Sequence, residues 1–296
     1  MRPDRYAYSA ITTRPDFSWP DGKRLALYIA IGVEEYTPDT GMREDIVPDA
    51  IRPGSGAPDM VNTAWRDYGN RVGGFRLLDR LRDLGCPPTI LLNTDVYDSA
   101  PDLIRAARAD GAEFVGHGLR NSEHLQAMNR AEEQAYLARV RDRIAQEEGS
   151  PPGGWSSPWL AHTPHTIDLL AETGYRYLMD LRLDDQPVWL NTTGAPLLSM
   201  PYAAEVNDSS TCIGRQATAE SFARMIIAEF DEMRRASRQQ PLVMSIILHS
   251  FISGQPFRLA ALDRAFDHIA AHRNEVWMAR PAEICDAFLQ AGPAGG

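Results

Sequence analysis

Three short apolar runs in this chain each stop at a carboxylate or an imidazole. The run Leu25–Val33 (LALYIAIGV) meets Glu34 and Glu35, Glu113–Gly116 meets His117, and residues 242–248 (LVMSIIL) meet His249. Aliphatic and β-branched runs of this length fit strands buried on both faces of a parallel sheet. Helical spacing fills the intervals. Phe75, Leu78, Leu81 and Leu84 recur along 74–84, with Gly85 placed to stop the helix, and Tyr136, Leu137, Val140 and Ile144 mark one side of 131–148. Ser99-Ala100-Pro101 predicts a helix capped by serine and ending near Gly111. Further helices are predicted from Thr163-Pro164 to Gly174, over 219–235, over 258–272 and from Pro281 onward. Strands are predicted at 88–93, 176–179 and 275–278. Residues 36–62, broken by Pro38, Pro48, Pro53 and Pro58, read as a long loop of the kind that covers or lines a site.

Alternating strands and helices imply βαβ units with right-handed crossovers. No composition break divides the chain, so residues 24–290 read as one barrel-like α/β domain, after an arm over 1–23 and before a small, glycine-rich, disordered tail over 291–296. In such folds chemistry sits at the carboxyl edge of the strands, where Glu34, Glu35, His117 and His249 would converge. A doubly wound nucleotide-binding sheet would place a glycine-rich loop after its first strand; here that position holds two glutamates. Composition narrows the partners. A formal net charge of -10 over 296 residues argues against nucleic acid or an anionic membrane. Three cysteines without metal-ligand spacing, and an amino terminus without an apolar leader, lead to the expectation of a cytoplasmic protein.

Several segments together resemble the polysaccharide deacetylase (NodB-homology) superfamily, and within it the allantoinase-like and cyclic-imidase-like branch. They are GVEEY (32–36), WRDYGNRVGGFRLLD (65–79), GHGLRN (116–121), GWSSPW (154–159), DDQPVW (184–189), PYAAEVND (201–208) and ILHSF (247–251). The resemblance implies a single-domain distorted (β/α) barrel of seven strands, hydrolysis of a C–N amide bond, and a homo-oligomer. Carried onto this chain, it makes Glu34 the general base, Glu35 a metal ligand, His117 a second ligand and His249 the general acid. Asn121 stands where the family has its second metal-binding histidine, and an amide is a poorer zinc ligand than imidazole. One divalent ion, zinc first, and metal-independent action are therefore both left open. Ser156-Ser157-Pro158-Trp159 replaces an Arg-x-Pro-aromatic motif, leaving the Trp159 backbone N–H for the oxyanion, and Asp180 and Asp184 echo the acidic fourth motif.

Amide hydrolysis needs an activated water, a stabilised oxyanion and a proton for the leaving nitrogen. Burial and the charge of Glu35 are expected to raise the Glu34 pKa toward that of a useful base. Arg71, Arg120, Trp159, Asp184 and Asn207 are the candidates for substrate binding. Each has a plainer role: Arg71 can pair with Asp67 or Glu44, Asp184 and Asn207 can make turns, and His162 and His165 can cap the helix they flank. His268 and His272 read as solvated on a surface helix. The expected substrate is a small amide, cyclic as in an imide or ureide. The alternatives are a metal-dependent N-deacetylase of sugars and a binding protein on the same fold.

Overall fold

The computed structural model describes residues 4–37 and 60–292. Among the described residues nine strands form one sheet: β1 (Leu25–Val33), β2 (Pro88–Leu92), β3 (Glu113–Gly116), β4 (Gly154–Trp155), β5 (Tyr177–Leu178), β6 (Val188–Leu190), β7 (Leu197–Ser199), β8 (Leu242–His249) and β9 (Val276–Met278). The order is β6-β7-β5-β4-β3-β2-β1-β8, with β9 beside β1. All strand pairs are parallel except β6 with β7. The count exceeds the expected seven because β6 adds one antiparallel strand. In addition, β9 takes the stretch from Leu25 to Leu27 that β2, pairing only from Ile29 onward, leaves open on β1.

The sheet curls into a distorted (β/α) barrel. Beyond β8 its wall is completed by loop backbone, since Ile247 N–H donates to Val206 and Val243 N–H donates to Asp185. Alternate residues of β1 belong to two packed layers. Leu25, Leu27, Ile29, Ile31 and Val33 pack with the helix residues Leu77, Leu78 and Leu81, while Ala26, Tyr28 and Ala30 pack inside with Leu91, Val115, Val243 and Ile247. Every residue of β1 is buried, and each large aliphatic side chain so placed stabilises the fold by about 1.5–3 kcal/mol.

The helices are α1 (Met60–Tyr68), α2 (Gly74–Leu84), α3 (Val96–Ser99), α4 (Pro101–Ala109), α5 (Arg130–Glu148), α6 (Thr166–Thr173), α7 (Ala219–Ala236), α8 (Pro256–Ala271) and α9 (Pro281–Ala291). Gly85 and Gly174 stop α2 and α6 in the left-handed region, at φ 68 and 91, as their positions predict. Ser99 does not cap α4. It ends α3 instead, and its hydroxyl turns to Glu35. Trp65 and Tyr68, whose segment shows no clear period, lie on α1. A π-helical turn, Gly69–Gly73, joins α1 to α2. A side chain at Gly73 would strike the carbonyl of Ser250, and one at Gly254 would strike Gly73, so two backbones touch where only glycine fits.

The amino-terminal arm is docked on the domain. Arg5 donates to both oxygens of Asp168 at 2.8 Å, Arg14 donates to both of Asp184 at 2.8 and 2.6 Å, and buried Trp19 donates to the Leu242 carbonyl at 3.0 Å. The expected disorder of the tail falls largely on residues 293–296, outside the described residues, as does Glu44.

Candidate active site

Glu34, His117 and His249 follow or end β1, β3 and β8, and the structure brings all three together at one mouth of the barrel. They line a cavity of about 170 Å³. Register does this: Gly32 lies opposite His249 across the β1–β8 pair, and a Cβ on Gly32 would sit 2.9 Å from the His249 ring and 3.0 Å from Glu34. Asn93, just past β2, ties the two flanking strand ends together. Its side chain accepts from the Glu35 N–H at 3.0 Å and donates to the His117 carbonyl.

Glu34 is buried and its two oxygens have separate tasks. Oε2 accepts from the Tyr36 hydroxyl and, at 3.1 Å, from the Asn121 amide. Oε1 lies 3.5 Å from Nε2 of both His117 and His249. Burial alone would push the Glu34 carboxyl upward. The charge of His249, with His117 and the Tyr36 hydroxyl, outweighs burial and holds it at about 2. This reverses the expectation of a raised Glu34. Glu35, cast as the repelling neighbour, turns its carboxylate away to Ser99 Oγ at 2.6 Å.

Both imidazoles are held in one tautomer. His117 Nδ1 lies 2.7 Å from the Ser156 carbonyl, so it is the donor, and its Nε2 faces Glu34. His249 Nδ1 lies 2.6 Å from Asp208 Oδ1, while Asp208 Oδ2 accepts from the His249 N–H at 2.9 Å and from Ser253 Oγ at 2.5 Å. Either Nε2 therefore carries a proton only as an imidazolium.

A second carboxylate–imidazole pair supports the opposite wall. Asp180 Oδ1 accepts the Ser157 N–H at 2.8 Å, and Oδ2 lies 2.5 Å from His162 Nε2. Burial lowers the His162 pKa, but Asp180 overrides it and the net shift is upward. The pair fixes a turn in which Trp159 and Leu160 both have positive φ, 59 and 53. Trp159 lines the cavity and donates its indole N–H to the Asn121 carbonyl at 2.6 Å. His162 is thus a partner of Asp180 and not a helix cap. His165, at the N-cap of α6, makes no side-chain cap bond either.

Of the other candidates, Asn207 lines the cavity while its Oδ1 accepts from the Ser209 N–H at 3.1 Å, the turn favoured from sequence. Arg71 and Arg120 do not line it. Arg71 is exposed near Asp67, and Arg120 is exposed and paired with Asp95 at 2.5 Å. Asp184, held by Arg14, borders a neighbouring cavity of about 470 Å³. The residues that linear reading passed over are Asp208, Tyr36 as a donor, Arg182 and Tyr202. Asp208 was legible only as a turn, because its partner lies 41 positions away.

The metal ligands implied by the resemblance do not form a set. Glu35 points to Ser99, and Asn121 presents Nδ2, a donor, to Glu34 and Tyr36. Of the three, His117 and Asn121 line the cavity, and the His117 Nε2 faces Glu34. Glu35, His117 and Asn121 in this arrangement do not fit a divalent ion, and no step below runs through one. Among the described residues, three ligand-type atoms within 4.8 Å of one another occur at Asp231 on α7, His268 on α8 and His272 at the C-cap of α8. None of these lines the Glu34 cavity. The two histidines are half-buried and paired, His268 with Asp231 and His272 with Arg234 and Glu275, rather than solvated.

Comparison with known proteins agrees with this architecture. The family profile described as Polysaccharide deacetylase matches residues 67–178. The chain resembles the crystal structure of the allantoinase PuuE, with a TM-score of 0.84 and 27% identity over 98% of this chain and 99% of that one. It resembles equally a probable polysaccharide deacetylase from Pseudomonas aeruginosa PAO1, with a TM-score of 0.82 and 27% identity over 95% and 96% of the two chains. A peptidoglycan deacetylase of Helicobacter pylori is 22% identical over 81% of this chain and 91% of its own. The chain therefore has the fold of these structures, of NodB type, and resembles the polysaccharide deacetylase superfamily. The relatives so named are deacetylases and an allantoinase.

Proposed function

We propose that the protein opens a small cyclic amide, an imide or ureide ring, by water attack on one carbonyl. The observation that carries this reading is the Glu34 carboxylate set between two tautomer-locked imidazoles in a cavity of about 170 Å³. That volume suits one small ring, and a protein named an allantoinase is among the similar structures.

In the proposed reaction Glu34 takes a proton from water, the hydroxide adds to the carbonyl, and His249 as imidazolium protonates the leaving nitrogen. A carboxylate held at about 2 is a reluctant base in the resting site. The charge that depresses it most is that of His249. As His249 yields its proton to nitrogen, that depression lifts, so transfer at the base and transfer at the acid favour each other. Asp208 stabilises the imidazolium, and the Trp159 backbone N–H is the candidate donor to the oxyanion, worth about 3 kcal/mol if aligned.

The test is turnover of a panel of cyclic imides, hydantoins and linear amides by the wild type and by Glu34→Gln. Ring opening by the wild type and a loss of at least about 100-fold in the variant are expected. Undiminished turnover in Glu34→Gln would remove the base. The likeness to a peptidoglycan deacetylase supports a second reading, N-deacetylation of a sugar. Acetate release from N-acetylglucosamine oligomers, with the rings untouched, would select it.

A further inference from the structure

We propose that the substrate carries a carboxylate beside its scissile amide, and that Arg182 and the Tyr202 hydroxyl hold it. This deepens the reading of the Glu34 cavity as an amide-hydrolase site and rests on it.

Arg182 and Tyr202 are the two residues that line both the Glu34 cavity and the neighbouring one of about 470 Å³. Other arginines around this face are committed: Arg14 to Asp184, Arg120 to Asp95 and Arg215 to Glu205. Arg182 is exposed, and among the described residues it has no hydrogen bond or ion pair. It shares the wall at the junction of the two cavities with Tyr202, and its charge acts on that phenol. Tyr202 is 8% exposed, and its hydroxyl likewise has no hydrogen-bond partner among the described residues. Burial, with Tyr28, Asp180 and Glu34, pushes its pKa well above the ordinary value, so it stays a donor.

A guanidinium fork and a phenol on one wall, neither with an acceptor, match a planar carboxylate. The surroundings show why both would be needed. Glu34 and Asp180 bear on Tyr202, and Asp185, Glu205 and Glu229 line the larger lobe. An anion in the cavity would be repelled from those sides, and Arg182 is the cation placed to offset them. Glu205 is already paired with Arg215, and Asp185 and Glu229 are pushed upward by burial and by neighbouring carboxylates. The carboxylate therefore belongs at the junction of the two cavities, not deep in the acidic lobe.

The experiment compares hydantoin with hydantoin-5-acetic acid in the wild type, Arg182→Gln, Arg182→Lys and Tyr202→Phe. The wild type should favour the acid in kcat/KM, chiefly through KM, by about 10- to 100-fold. Arg182→Gln should collapse that ratio toward one, Arg182→Lys should restore part of it, and added salt should weaken it. Equal use of both rings by the wild type, or an unchanged ratio in Arg182→Gln, would overturn the proposal. Binding of the same two rings to Glu34→Gln protein, measured by calorimetry, separates this from the reaction. A preference for the acid that Arg182→Gln abolishes supports the carboxylate site even where neither ring is opened. Equal or absent binding of the acid rejects it.

Discussion

Asp208 holds His249 at two points, through the Nδ1–Oδ1 contact at 2.6 Å and through the His249 backbone N–H at 2.9 Å. The carboxylate is buried, and it fixes ring orientation, tautomer and the charge that the acid must carry. Asp208→Asn keeps the shape and removes the charge. A fall of about 100- to 10,000-fold in kcat, with KM little changed, is expected from steady-state kinetics on an active ring substrate. A kcat within threefold of wild type would mean that His249 acts without this partner.

Gly32 sets the approach of base to acid. Its missing Cβ leaves room for the His249 ring and the Glu34 oxygen, which would otherwise stand at 2.9 and 3.0 Å. Gly32→Ala should cost about 1–3 kcal/mol in urea unfolding and, by displacing one group from the other, about 100-fold in kcat/KM. Full activity in a stable Gly32→Ala protein would show that the separation of Glu34 and His249 is not critical.

Glu113 lies at the opposite, amino-terminal end of β3, accepting from Tyr177 OH and from the Ala282 N–H at 2.9 Å. Burial pushes its carboxyl up from 4.5 to about 7, despite those donors. A raised acid binds its proton more tightly when folded, so its contribution is complete below about pH 4.5 and is lost as pH rises toward 7. The loss across that window is about 3 kcal/mol. Unfolding free energies at pH 5 and pH 8 should show it, and Glu113→Gln should flatten the difference.

Asp180 joins the turn at Ser157 to His162. Asp180→Asn should destabilise the protein by about 3 kcal/mol and slow turnover, because the positive-φ pair at Trp159 and Leu160 loses its anchor. His162 has a raised pKa, so its share of the stability is present below 6.5 and is lost as pH climbs through the folded value. The gap between variant and wild type should therefore narrow at alkaline pH. A gap that stays constant there would assign the effect to Ser157 alone.

Much of the barrel is written in local pattern. Runs such as 25–33 and 242–248 are almost wholly apolar because both faces are buried, and Gly85 and Gly174 mark helix ends by backbone geometry alone. Strands of two or three residues, such as β4 and β6, are too short to show a period and exist only because a neighbour pairs with them. The site divides the same way. Glu34, His117 and His249 are visible because a polar group closes an apolar strand. Asp208 and Tyr202 sit in loops, where nothing local distinguishes a cavity residue from a turn. Glu35 misleads for a related reason, since adjacent residues at a strand end point to opposite sides, and only one of them can enter the cavity.

The contact between Gly73 and Gly254 bears on how ligand gets in. It presses the π-helical turn directly onto the segment behind His249, main chain against main chain, with no side-chain layer to slide or repack. The acid is therefore followed by a segment that cannot shift toward the π-helical turn without a backbone clash. Trp159, Arg182 and Tyr202 stand on the other bank of the cavity, away from that backbone contact.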